Sequence, residues 1–362
     1  MVAAAFLLAV LVLGDIPPAD LSDDVACAIQ GGALKPELAV DDCGKRVSLA
    51  LMRRGIVHMR SKDNAKAHQF FDLAIQLDPM NEAALTDRAL AESSEGQLDQ
   101  ALQDLGRAIE LEPGDWIAYS NRANVLVKMR RIDEALRDYA TAIKIKPDDP
   151  MAYTDRGGVF VHLRRFDEAR ADLMKVIELQ PRFAPGYINL AAAALEQHRL
   201  EEAISELTSA ISIDPTISAA FSNRAIAQLS LGHFVQAAAD ADAAAKLNPL
   251  SPSYQYLRCA GRASGGFELD VALEACQAAE VNERNKVGIH EARGMIALRQ
   301  KHWADAQNEF NEAMKIQMRP LGIYGRGAAK AGLGQDPKPD YEWALSLDKS
   351  IAVKAKEMGL VE

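Results

Sequence analysis

Six prolines in this 362-residue chain recur at one spacing: Pro79, Pro113, Pro147, Pro181, Pro215 and Pro249 are each 34 residues apart. A fixed period of that length implies one supersecondary unit stacked on copies of itself, because a single unit cannot bury its apolar face alone. With each proline at position 32, the units begin at Ser48, Glu82, Trp116, Pro150, Ala184 and Ser218. Other positions then repeat in register. Position 8 holds Gly55, Ala89, Ala123, Gly157, Ala191 and Ala225. Position 20 holds Ala67, Ala101, Ala135, Ala169, Ala203 and Ala237, and position 27 holds Ala74, Ala108, Ala142, Val176, Ala210 and Ala244. Position 4 is large and apolar: Leu51, Leu85, Tyr119, Tyr153, Tyr187 and Phe221.

Small side chains at 8 and 20 let two helices of a hairpin approach closely, while larger ones at 4 and 24 fill the space between neighbouring units. Proline at 32 lacks an amide and stops the second helix. Asn81, Asp115, Asp149 and Ser251 at position 34 are suited to cap the next first helix. The period and these positions resemble the tetratricopeptide repeat. The resemblance implies an all-α, right-handed α-solenoid of about eight to nine helix hairpins, with a leading helix and a cap at the far end.

The register drifts after the sixth unit. Cys259, Ala272, Cys276 and Ala279 fit a seventh repeat with one inserted residue, and Gly294, Ala306, Phe310 and Ala313 an eighth. Gly327, Gly334, Tyr341 and Ala344 suggest a shortened ninth, broken by Pro337 and Pro339, with Lys338 to Glu362 as a polar cap. Asp23 to Gly31 reads as a lone leading helix. The expected organisation is 1–19 as an apolar signal-like segment, 20–47 as leading helix and linker, 48–251 as six regular repeats, 252–319 as two divergent repeats, and 320–362 as a degenerate repeat and cap.

The apolar run Val2 to Leu13 is too short to span a bilayer and matches the centre of a secretory signal, although no Lys or Arg precedes it and no A-x-A site follows. Tyr324 to Gly334 is similar to a segment that ends exported bacterial members of the family. A periplasmic or secreted location is therefore expected, with a cytoplasmic one as the alternative. Membrane contact is expected only through the first segment, if it is uncleaved. Cys27, Cys43, Cys259 and Cys276 are compatible with two bridges in an oxidising compartment, Cys259 with Cys276 and Cys27 with Cys43, or with small buried thiols in place of alanine. A formal charge of −10 disfavours nucleic-acid binding.

No catalytic motif is present, so no enzyme activity, cofactor or metal is expected. His198 and His233 fall between helices A and B, where solvated residues belong. Arg130-Arg131, Arg164-Arg165 and His198-Arg199 occupy positions 15 and 16 of three successive repeats. They form either a docking edge for an anionic partner or, the favoured reading, a local arrangement in which cations end helix A and the acids that follow begin helix B. The resemblance places a concave groove on helix A. There Asp87, Asn121, Asp155, Asn189 and Asn223 form a ladder at position 6, with Thr86, Ser120, Asn124, Thr154 and Ser222 beside it, suited to an extended peptide backbone. Tyr119-Ser120-Asn121-Arg122 resembles part of a family clamp for C-terminal carboxylates. Thr86, Leu90, Met151 and Asp155 stand where the rest would be, so no such clamp is expected. The reading is a non-enzymatic scaffold for a protein or peptide partner. The alternatives are a cytosolic adaptor or a non-catalytic subunit of an enzyme complex.

Overall fold

The computed structural model describes residues 42–281 and 285–361. The apolar run Val2–Leu13, the leading helix expected at Asp23–Gly31 and Cys27 lie outside the described residues. Among the described residues there are nineteen helices and no strand. They are α1 (Asp42–Arg60), α2 (Asn64–Leu77), α3 (Glu82–Glu95), α4 (Leu98–Leu111), α5 (Trp116–Lys128), α6 (Ile132–Ile145) and α7 (Pro150–His162). Next come α8 (Phe166–Leu179), α9 (Ala184–Glu196), α10 (Leu200–Ile213), α11 (Ser218–Ser230), α12 (Phe234–Leu247) and α13 (Pro252–Gly265). The chain continues through α14 (Leu269–Ala279), α15 (Lys286–Arg299), α16 (Trp303–Ile316), α17 (Pro320–Gly332), α18 (Lys338–Leu347) and α19 (Ile351–Glu357). None of these helices is long and apolar enough to cross a membrane.

The chain forms two compact units that divide within α7, after Val159. In the first, α1/α2, α3/α4 and α5/α6 are hairpins, and α2 packs on α3 as α4 packs on α5. In the second, α8 packs on α9, and α9/α10, α11/α12, α13/α14, α15/α16 and α17/α18 pair and stack in the same manner. Each unit is thus a row of stacked helix hairpins, an α-solenoid.

The close approach of the two helices rests on an exchange of volume between positions 8 and 24. In three of the four hairpins with glycine at position 8 an aromatic ring fills the gap; in the fourth, Gly157 has Leu173 at position 24. A Cβ on Gly55 would stand 2.5 Å from Phe71, and Gly294 and Gly327 face Phe310 and Tyr341 at 2.8 Å. Where position 8 is alanine, Leu105, Tyr139 and Leu207 lie in the same buried clusters as Ala89, Ala123 and Ala191. The alanines at position 20 from Ala67 to Ala237 are fully buried in every regular repeat.

Every turn between the helices of a hairpin carries one residue with positive φ at position 15. These residues are Lys62, Gly96, Arg130, Arg164, His198, Gly232, Gly266, Lys301 and Gly334. The left-handed residue lets the chain leave helix A and enter helix B within two or three residues. The residue inserted in the seventh repeat is absorbed by a second such position, Glu268 at φ 45. At the helix starts, Asn81 accepts from Ala84 N–H at 2.9 Å, Asp115 from Ile117 N–H at 2.9 Å and Asp149 from Met151 N–H at 2.8 Å. Ser251, expected to cap likewise, does not. Pro252 brings no amide, and the Tyr254 N–H goes to the Ser251 carbonyl at 3.2 Å. Pro337 and Pro339, expected to break the ninth repeat, instead sit at the start of α18, where a missing amide costs little.

Two stability measurements check this account. Gly55→Ala drives a methyl into the Phe71 ring and is expected to cost about 1–3 kcal/mol; adding Phe71→Leu restores most of the loss in urea unfolding. Gly96 has nothing within 4 Å of its missing Cβ, so Gly96→Ala isolates the backbone term and is expected to cost about 1 kcal/mol. Arg130→Gly, at the equivalent position, carries no such cost.

Candidate functional site

Helix A of each hairpin has a side turned into its own repeat and a side turned away. The inward side carries an ion-pair ladder that the sequence reading missed. Arg88 at position 7 grips Asp104 at position 23 with both arms of its fork, Nε to Oδ2 at 2.6 Å and Nη2 to Oδ1 at 2.8 Å. Arg122 holds Asp138 at 2.7 and 2.9 Å, and Arg224 holds Asp240 at 2.7 Å through both bonds. Arg326 and Asp340 repeat the pair at 2.9 and 2.7 Å. Bidentate geometry of this kind is the strong form of a charge-assisted bond. Arg88 also reaches Asp72 on α2 at 2.7 Å, tying two hairpins together. The signal was an Arg and an Asp 16 residues apart in three repeats and 14 apart in the shortened ninth. Because Asp138 occupies its guanidinium, Arg122 is not free to complete a carboxylate clamp around Tyr119-Ser120-Asn121.

The outward side of helix A in the first unit holds Asp87, Leu90, Ile117, Asn121, Asn124, Met151 and Asp155. Asp87, Asn121, Asn124 and Asp155 are half-buried. Burial pushes the Asp87 carboxyl up to about 6, partly opposed by the charge of Arg60. Asn121 Nδ2 is buried with no hydrogen-bond partner. Asn124 is committed within the fold: it accepts from the Tyr139 hydroxyl and donates to Asp155 Oδ2 at 2.9 Å. Burial raises the Asp155 pKa, and the Asn124 bond lowers it in part. Between these polar groups Leu90, Ile117 and Met151 are exposed.

The position-5 hydroxyls sit differently from the expectation. Thr86, Ser120, Thr154 and Ser222 are buried beneath this side rather than open on it. Thr154 donates to the Pro150 carbonyl at 2.8 Å and Ser222 to that of Ala219 at 3.0 Å. The Thr86 and Ser120 hydroxyls are buried without a partner. Neighbouring helices pack closely enough at position 5 to cover a short side chain. In the second unit Asn189 and Asn223 are half-buried at position 6, and Ile226 is exposed beside Asn223.

The basic pairs are explained by turn geometry. Arg130, Arg164 and His198 are the left-handed residues of their turns. Each following arginine pairs with an acid in the first turn of its own helix B. Arg131 meets Glu134 through two 2.7 Å bonds, Arg165 meets Glu168 at 3.0 Å, and Arg199 meets Glu202 at 2.8 Å. These arginines hold the Glu134 and Glu168 carboxyls below their usual range.

Cys259 and Cys276 occupy positions 8 and 24 of their hairpin and stand in disulfide geometry, their Cα atoms 5.1 Å apart and 17 residues apart in sequence. The bridge stands where other repeats set glycine against a ring. The Cys27–Cys43 pairing falls outside the residues whose side chains are described. No group of three or more His, Cys, Asp or Glu side chains among the described residues is placed to hold a metal ion.

Three overlapping matches to the tetratricopeptide repeat family cover residues 86–150, 120–188 and 160–216. No curated protein matches the sequence. Among solved structures, a tetratricopeptide repeat protein from Parabacteroides merdae is 21% identical with a TM-score of 0.51, over 69% of this chain and 98% of that one. PilF of Pseudomonas aeruginosa is 18% identical with a TM-score of 0.53, over 58% of this chain and 95% of its own. PilW, a type IV pilus biogenesis factor, is 18% identical with a TM-score of 0.51, over 57% and 96%. Likeness at this level of identity speaks for the fold.

The raised Asp87 pKa has a consequence for stability. Its folded value lies above the ordinary 3.8, so the folded state binds the proton more tightly than the unfolded one. The carboxylate therefore costs stability once pH exceeds about 6, and that cost fades as pH falls towards 4. Asp87→Asn is expected to be more stable than wild type at pH 7.5, with the difference closing by pH 4 in parallel urea titrations.

Proposed function

Because the chain belongs to the tetratricopeptide-repeat family, whose fold serves as a protein-interaction scaffold, we propose that it binds an extended segment of a partner protein on the helix-A side of α3, α5 and α7 and catalyses no reaction itself. The observation that carries this reading is the alternation along that side. Leu90, Ile117 and Met151 are 37%, 45% and 46% exposed, on the three helices that carry the desolvated carboxyl of Asp87 and the half-buried Asn121 and Asp155. Exposed apolar side chains at the spacing of stacked helices match alternate side chains of an extended chain. The half-buried Asn121 side chain stands beside the exposed Ile117 on α5, where a peptide backbone would pass. Asp87 lacks a strong donor, and a peptide N–H or lysine supplies one. Burying an unsatisfied polar group costs free energy that a complementary ligand recovers.

The location we propose is outside the cytoplasm. The apolar Val2–Leu13 run and the cysteine pair at Cys259 and Cys276 support it, since an intramolecular bridge persists in an oxidising compartment. In that setting the pair is oxidised and its closure contributes about 3 kcal/mol in the chain-entropy model.

Panning a displayed peptide library on the full chain tests the groove. Selected peptides are expected to carry apolar residues at alternate positions. Leu90→Asp and Asn121→Ala are each expected to weaken them by about tenfold or more, on the order of 1.4 kcal/mol. Arg131→Glu with Arg165→Glu is expected to leave both affinity and its salt dependence unchanged. Binding that survives Leu90→Asp contradicts the site. N-terminal sequencing and a non-reducing peptide map of the native protein check the location. A Cys259–Cys276 cross-linked peptide is expected, and free thiols at both positions contradict the oxidised pair.

A further inference from the structure

We propose that the segment Ile351–Val361 is an internal occupant of a second docking groove, the helix-A side of α13, α15 and α17, and that a partner's short apolar helix closed by a glycine turn takes its place. This groove lies wholly within the second unit and is independent of the helix-A side of the first.

Burial at position 9 distinguishes this region. Among the other large side chains at this position, Leu90 and Ile226 are exposed and Ile56 is half-buried. In the eighth repeat the equivalent residue, Met295, is 3% exposed, and Leu298 is buried one turn further on. Helix α15 is buried around most of its circumference. The same cluster that contains Met295 and Leu298 contains Ile351, Ala355 and Leu360, with Met358 and Val361 packed against it.

Arg299, at the end of α15, fastens the segment. Its guanidinium donates to the carbonyls of Ala263 and Ser264 at the end of α13 and to the carbonyl of Met358 at the end of α19. A missing Cβ makes room for it, since a side chain on Gly266 would stand 2.4 Å from Arg299 Nε. An arginine that gathers carbonyls from two helix ends recognises backbone, so any helix ending there in the same geometry satisfies it.

The segment is poorly placed to serve as an end cap, the role expected for Lys338 to Glu362. Helices α9, α11, α13 and α17 seat on the second helix before them, whereas α15 lies more on α13 than on α14, and α19 lies mainly on α17 and only grazes α18. Leu345 and Leu347 of α18 are left exposed, Leu347 at 54%. The contacts of α19 define what can replace it. Ile351 and Ala355 are buried four residues apart, on one face. The helix then closes in a Schellman turn: Gly359 has φ 64, its N–H meets the Lys356 carbonyl at 2.9 Å, and the Leu360 N–H meets that of Ala355 at 2.9 Å. Leu360 is buried beyond the turn. The partner segment therefore carries a bulky apolar residue, a small one four positions on, and a glycine followed by a large apolar residue at the helix end.

The test uses the full chain and a fluorescent peptide of residues 350–362. Ile351→Asp with Ala355→Asp expels the resident segment without altering the groove. The peptide is expected to bind this variant about tenfold or more tightly than wild type, because an occupied site binds in proportion to its open fraction. Arg299→Ala in the same background is expected to remove the gain. Equal binding to both proteins, or binding to neither, overturns the proposal. So does loss of hydrogen-exchange protection throughout α13–α17 in the variant, which makes the segment an integral part of the fold. A stable dimer on size exclusion overturns it in favour of a second copy of the chain as occupant. In wild type, residues 351–361 are expected to exchange at least about tenfold faster than α15, as an element that opens by itself; exchange at the rate of α15 contradicts that.

Discussion

The structure depends on one contact, the nesting of position 8 against position 24 across each helix hairpin. Protein interiors pack to crystal-like density, so the distance between two helices is set by the side chains between them. Gly55 accommodates the Phe71 ring, Gly294 accommodates Phe310 and Gly327 accommodates Tyr341. In the seventh hairpin both sides are cysteine, with Cα atoms 5.1 Å apart, within reach of a bridge. The summed volume is conserved loosely while the partners vary. That tolerance lets the repeats diverge in sequence yet keep one hairpin geometry, and the geometry aligns the A helices within each unit.

The bidentate ladder is the polar counterpart of that contact. Arg88, Arg122, Arg224 and Arg326 each hold an aspartate of their own helix B. Removing one partner would leave a half-buried charge unpaired, the costly case for an ion pair. The ladder therefore fixes how the hairpin legs lie against each other and commits the guanidinium groups to the scaffold. The other side of helix A keeps exposed apolar side chains, among them Leu90, Ile117 and Met151, outside this ladder.

Much of this was legible in the sequence. The prolines, alanines and glycines at fixed positions report backbone and packing demands that only a few residue types meet, so they mark the hairpins directly. Position 6 was read as a polar ladder, and Asp87, Asn121, Asp155, Asn189 and Asn223 do share half-buried surroundings. Position 5 was misread. Thr86 and Ser120 are polar by type, but whether a short hydroxyl is open or covered depends on how closely neighbouring helices pack, which the residue itself does not encode. The arginine pairs at positions 15 and 16 follow the local arrangement favoured from the sequence. Their periodicity comes from a left-handed turn residue followed by an N-terminal ion pair, both local. The position-7 arginines were overlooked because their partners lie 14 or 16 residues away on another helix, beyond the reach of a helical pattern. The fold-back of Ile351–Val361 rests on Arg299 bonding to a carbonyl, an acceptor that every residue has and that no sequence motif reveals.

The account holds that nested hairpins present one side of helix A to a partner and reserve the other for the scaffold. Site-specific photo-cross-linking in the native cell tests this most directly, with a photoreactive phenylalanine analogue introduced singly at Ile117 on the helix-A side and at Arg137 on helix B. The account predicts a discrete partner adduct from position 117 and none from position 137. An adduct from position 137 with none from position 117 would contradict it.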